Sequence, residues 1–101
     1  MAAPVEEVKI RIAPAAAGHL TAAFEYLDGI NSKAAGAQMQ RIFDGIDQLK
    51  RFPESAPAGR IEGTRELVIP RTPFIVVYSI EATIINVVAV VHGSQRWPQS
   101  S

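Results

Sequence analysis

An α+β fold of order β-α-α-β-β-β is predicted for this chain: an antiparallel helical hairpin packed on one face of an antiparallel β-sheet. Three observations in the 101-residue sequence predict it. The last third holds two apolar runs dense in β-branched residues, Phe74-Ile75-Val76-Val77-Tyr78-Ser79-Ile80 and Ile84-Ile85-Asn86-Val87-Val88-Ala89-Val90-Val91. The middle holds two apolar stripes at helical spacing with a short link between them. Helices and strands are thus segregated along the chain instead of alternating, which separates α+β from α/β.

The elements follow in order. Between Val5 and Ile12, Val8, Ile10 and Ile12 alternate with Lys9 and Arg11, so a half-buried first strand is expected at an edge or one-sided position. Pro14 suits the first turn of a helix, where its missing N–H costs nothing. Leu20, Ala23, Phe24, Leu27 and Ile30 mark the buried stripe of a helix over residues 15–28, with Gly29 as its stop. Asn31 or Ser32 caps a second helix whose stripe is Ala35, Met39, Ile42, Ile46 and Leu49. It ends near Phe52, because Pro53 biases the preceding residue away from helical geometry. Gly36 and Gly45 weaken this helix by about 1 kcal/mol each relative to alanine unless they permit close packing. Residues 54–63, with Pro57, Gly59 and Gly63, read as an exposed loop. A strand over residues 65–69 then reaches the apolar pair through Pro70-Arg71-Thr72-Pro73, and only Glu81, Ala82 and Thr83 link that pair, so the pair is a hairpin.

The chain is expected to be one domain over residues 1–101, with its core at about 5–98, long enough to bury that core without staples. At 48% hydrophobic and 20% charged residues it is a globular chain, and no apolar run approaches the ~20 residues that span a bilayer. The start lacks a signal peptide's basic end and there are no cysteines, so a cytoplasmic location is expected and thiol chemistry is excluded. Only His19 and His92 remain as soft metal ligands, and no carboxylates cluster around either in the sequence, so neither a metal nor a cofactor is expected.

Ten basic side chains balance ten acidic ones, which argues against a grip on nucleic acid by bulk charge. Every basic group after position 50 is nevertheless an arginine: Arg51, Arg60, Arg65, Arg71 and Arg96. The guanidinium fork suits carboxylate or phosphate recognition, although solvated surface arginines have the same composition. His92 ends the last strand, where it serves as acid or base or merely hydrogen-bonds the turn; Tyr78 shares the face of Phe74 and Val76 and reads as core with a bonded hydroxyl. His19 reads as a surface residue without function. Arg96 and Trp97 form a basic and aromatic pair of the kind enriched at interface hot spots, or Trp97 covers the sheet's end.

Several motifs in order and spacing resemble the RelE/ParE superfamily of toxins over almost the whole chain, from about Val8 to Pro98. They are Arg11-Ile12-Ala13-Pro14-Ala15-Ala16, Tyr26-Leu27, Lys33-Ala34-Ala35, Leu49-Lys50-Arg51-Phe52-Pro53, Gly63-Thr64-Arg65-Glu66-Leu67-Val68-Ile69, Pro73-Phe74-Ile75-Val76-Val77-Tyr78 and Val90-Val91-His92-Gly93-Ser94-Gln95-Arg96-Trp97-Pro98. The resemblance implies the toxin of a bacterial type II toxin–antitoxin operon, bound by a ParD-like antitoxin whose C-terminal segment wraps the helical hairpin and the sheet. Arg60, Arg65, Arg71, Arg96 and Trp97 are then the expected partner or target contacts, in a toxin–antitoxin hetero-oligomer that neither enters a membrane nor reads a DNA sequence. The superfamily divides into RelE-like ribosome-dependent messenger ribonucleases and ParE-like inhibitors of DNA gyrase. Positions that carry cations in the ribonuclease branch are matched here by Glu66, Val68 and Ile75, which cannot stabilise a phosphorane, so the resemblance leans to the ParE-like branch, with no catalytic residues. In the ribonuclease alternative Arg65, Tyr78, His92 and Arg96 would be catalytic; in a third reading the chain is a non-toxic relic that only binds an antitoxin.

Overall fold

The computed structural model describes residues 7–98 and contains β1 (Lys9–Ile12), α1 (Pro14–Ile30), α2 (Ser32–Gln48), β2 (Arg65–Val68), β3 (Phe74–Glu81) and β4 (Ile84–His92). The sheet order is β1-β4-β3-β2. The expected start of the first strand at Val5 lies outside the described residues. β2, β3 and β4 form the antiparallel meander, but β1 joins β4 in parallel, Lys9 opposite Ile84 and Ile12 opposite Val87. The sheet is therefore antiparallel except at that edge. The helical hairpin separates β1 from the meander, so tertiary packing, and no local turn, sets its direction.

One residue joins the helices. Asn31 closes α1 by donating its backbone N–H to the Leu27 carbonyl, and it opens α2 by accepting the Lys33 and Ala34 amides on its side chain. Its extended backbone (φ −156°) stops the first helix, so Gly29, expected as the stop, lies inside it. The α2 stripe is buried as expected from Ala35 to Leu49. The α1 stripe is rotated: Ala16, Ala23 and Leu27 are buried, whereas Phe24 is 45% and Ile30 66% exposed. Because α1 presents alanines to the sheet, it sits close to β4 and its larger side chains turn outward. Gly45 on α2 permits a similar approach, since a Cβ there would stand 2.6 Å from the Ile69 Cδ1.

The main core lies between the hairpin and one sheet face, where Ile42, Ile46 and Leu27 meet Phe74, Val76, Val87 and Val90. A bulge in β4 at Val88, between the pairs Val77–Ala89 and Tyr78–Val87, switches strand parity and turns Ala89 and Val91 to the opposite face beside Val77. That face is also dry, because Trp97 packs over it. Among the described residues no helix is long and apolar enough to cross a membrane.

Candidate interaction surface

Two of the singled-out residues form a clamp. Arg65 and Tyr78 are cross-strand partners, and both reach the loop that follows α2. The Tyr78 hydroxyl donates to the Pro53 carbonyl at 2.7 Å, while the Arg65 Nη1 donates to the carbonyls of Ala56 at 2.7 Å and Glu54 at 3.2 Å. Burial raises the Tyr78 hydroxyl pKa above its ordinary value, partly opposed by the Arg65 charge. Among the described residues Arg65 forms no ion pair; backbone carbonyls occupy it instead.

A second clasp joins Arg60, Glu66 and Trp97. Glu66 is buried on β2 and its carboxylate accepts the Arg60 backbone N–H at 2.8 Å and pairs with the Arg60 Nη2 at 3.3 Å. The Arg60 Nη1 donates to the Trp97 carbonyl at 2.7 Å, which draws the C-terminal segment across the sheet. Arg60 and Trp97 thus come together, and Trp97 is half-buried, its indole N–H enclosed without a partner among the described residues. Arg71 lies beyond the opposite end of β2, exposed, at a left-handed φ of 60°, with its carbonyl accepting from Arg41. Arg96 is exposed near the C-terminal end.

His92 stands apart from the Arg65–Tyr78 clamp. It pairs with Phe74, four residues from Tyr78 along β3, a span of about 13 Å at strand rise. Its ring lies edge-on to Tyr26 and Phe74, and its Nδ1 accepts the Ser94 amide at 3.1 Å. The Ser94 hydroxyl stands 2.7 Å from the same nitrogen, so the ring is bonded to its own turn. The four residues of the ribonuclease alternative are therefore not gathered at one point. Among the described residues no three His, Asp or Glu side chains stand close enough together to hold a metal.

His19, expected at the surface, is half-buried: its Nδ1 accepts the Val90 amide at 3.2 Å, past the point where β1 stops flanking β4. The signal was present in the sequence, since position 19 lies three residues after Ala16 and four before Ala23, on the buried side of α1. The resemblance offers the outer side of the hairpin to an antitoxin, but the residues that line it were not specified. There Leu20, Phe24, Met39 and Phe43 line an apolar groove of about 340 Å³, with Phe24 and Phe43 largely exposed. The edge strand β2, bridged at Arg65 by Ala58 of the preceding loop, adds an exposed Val68 at its far end.

A helical hairpin with an apolar groove on its outer side, lying on a small sheet, is a form on which another chain can dock. The comparisons give this class a family: residues 10–97 match the ParE toxin of type II toxin–antitoxin systems, parDE, and the chain belongs to that family. It is 36% identical over 74 residues to the candidate toxin Y4kP of Sinorhizobium fredii, covering 73% of this chain and 76% of that one. A solved chain of the chromosomal ParDE toxin–antitoxin system from P. aeruginosa has the same fold, with a TM-score of 0.77 at 17% identity, covering 85% of this chain and 96% of that one.

Proposed function

We propose that this chain acts in the cytoplasm as a toxin that arrests growth by binding DNA gyrase, and that a ParD-like antitoxin neutralises it. The observation that carries the reading is where the cations go. Arg65 holds Glu54 and Ala56 and Arg60 holds Glu66 and the C-terminal segment, while by the resemblance Glu66, Val68 and Ile75 match positions that carry cations in the ribonuclease branch. Phosphodiester cleavage without a metal requires a base, an acid and cations on one phosphate. These residues are dispersed, so docking remains as the means of inhibition. Arg71, Arg96 and the exposed part of Arg60 are the target or antitoxin contacts, with Trp97 joined to Arg60. The antitoxin's amphipathic segment fills the Phe24–Phe43 groove and an extended stretch lies along β2 at its Val68 end, beyond the bridge of Ala58 to Arg65.

Induction of the chain without its antitoxin tests this. A DNA-damage response with intact messages is expected. Codon-linked message cuts that vanish in His92→Ala would establish the ribonuclease instead, and unchanged growth would mark a non-toxic relic.

A further inference from the structure

His19 and His92 line one surface cavity of about 380 Å³ between α1 and the end of β4. The hydrogen bonds fix what each ring can offer it. His19 Nδ1 accepts from the Val90 amide; His92 Nδ1 accepts from the Ser94 amide and lies 2.7 Å from the Ser94 hydroxyl. A neutral imidazole that accepts through Nδ1 carries its proton on Nε2. Each ring therefore keeps one polar group, an Nε2–H donor, and neither can ligate a metal without surrendering a backbone bond. Ala22, Ala23 and Phe74 supply an apolar wall, Ser94 and Gln95 a polar rim, and among the described residues no charged side chain lines the space. A cavity of this size, mostly apolar with a few placed donors, is of the kind that takes small molecules.

We propose that this cavity binds a carboxylate on an apolar body: the oxygens take the two Nε2–H donors and the hydrocarbon lies against Ala22, Ala23 and Phe74. Charge-assisted bonds favour a carboxylate over a neutral carbonyl by about twofold in strength, and among the described residues no lining carboxylate repels it. The group arrives either on a free organic acid or on an acidic side chain beside an apolar one in a bound peptide. The inference stands independently of the target of the toxin.

The test is NMR on the full chain with ¹⁵N-labelled histidines. Both rings should show the Nε2-protonated tautomer. Benzoate, N-acetyl-Phe-Glu amide and methyl benzoate are then titrated separately. Saturable shifts of both rings with benzoate assign a free acid; shifts with the peptide alone assign a side-chain source. The methyl ester should bind at least about tenfold more weakly, a difference of ~1.4 kcal/mol. Ala22→Phe, at an exposed α1 position where the fold tolerates bulk, fills the cavity and should abolish the shifts. An Nδ1-protonated ring, no response to either acid, an equal response to the ester, or shifts that persist in Ala22→Phe would each overturn the proposal.

Discussion

Arg65 is the position at which a structural role and a contact role separate most sharply. Its Nη1 donates at 2.7 Å to the carbonyl of Ala56, a residue only 3% exposed, and at 3.2 Å to the more exposed carbonyl of Glu54. A hydrogen bond from a charged donor contributes about 1.5–3 kcal/mol, and a buried carbonyl left unpaired costs ~1–3 kcal/mol. The exposed bond adds little, and the two effects overlap at Ala56, so Arg65→Ala should cost about 2–3 kcal/mol. For a chain of this size that is a fall in Tm of roughly 10–20 °C. Arg65→Lys keeps a charge on a shorter, unbranched side chain that does not place its ammonium where Nη1 meets both carbonyls, and should recover about half. Urea unfolding followed by circular dichroism reads this as a lower midpoint at unchanged m-value. If Arg65→Ala unfolds within about 0.5 kcal/mol of the parent, the clamp contributes nothing and the side chain is free to be a contact.

Other outcomes follow from the same geometry. Gly36→Ala meets nothing within 4 Å and should stabilise by about 0.5–1 kcal/mol, whereas the Cβ of Gly45→Ala meets the Ile69 Cδ1 at 2.6 Å and should lose stability by ~0–2 kcal/mol after its helix-propensity gain; thermal melts distinguish the two. Tyr78→Phe leaves the Pro53 carbonyl without its donor and should cost about 1–2 kcal/mol at pH 8. Because burial raises the Tyr78 pKa, its contribution is complete below the ordinary tyrosine value of 10.0 and is lost as pH rises through the folded value. The gap between parent and Tyr78→Phe should therefore close above about pH 10 in melts taken across that range.

What could be read from the sequence follows from where side-chain pattern alone decides structure. The α2 stripe from Ala35 to Leu49 and the β2–β4 meander were legible, because in each the buried residues are large and their period is clean. The α1 face was misjudged at Phe24 and Ile30, since hydropathy ranks them above the alanines that actually meet the sheet. The direction of β1 was illegible because its pairing with β4 crosses the whole helical hairpin. The candidate site fared similarly. Tyr78 as a core residue with a bonded hydroxyl followed from strand parity. The Arg60–Glu66–Trp97 clasp did not, because it joins segments as much as 37 positions apart after a bulge has turned Ala89 and Val91 to the other face.

The measurement that bears most directly on capture in place of chemistry is a titration of purified DNA gyrase with this protein, scored by plasmid supercoiling. Loss of supercoiling that saturates near one toxin per gyrase site, and returns when a cognate antitoxin is added, is the result expected. Undiminished supercoiling at saturating protein, alongside cleavage of ribosome-bound messages, would contradict it.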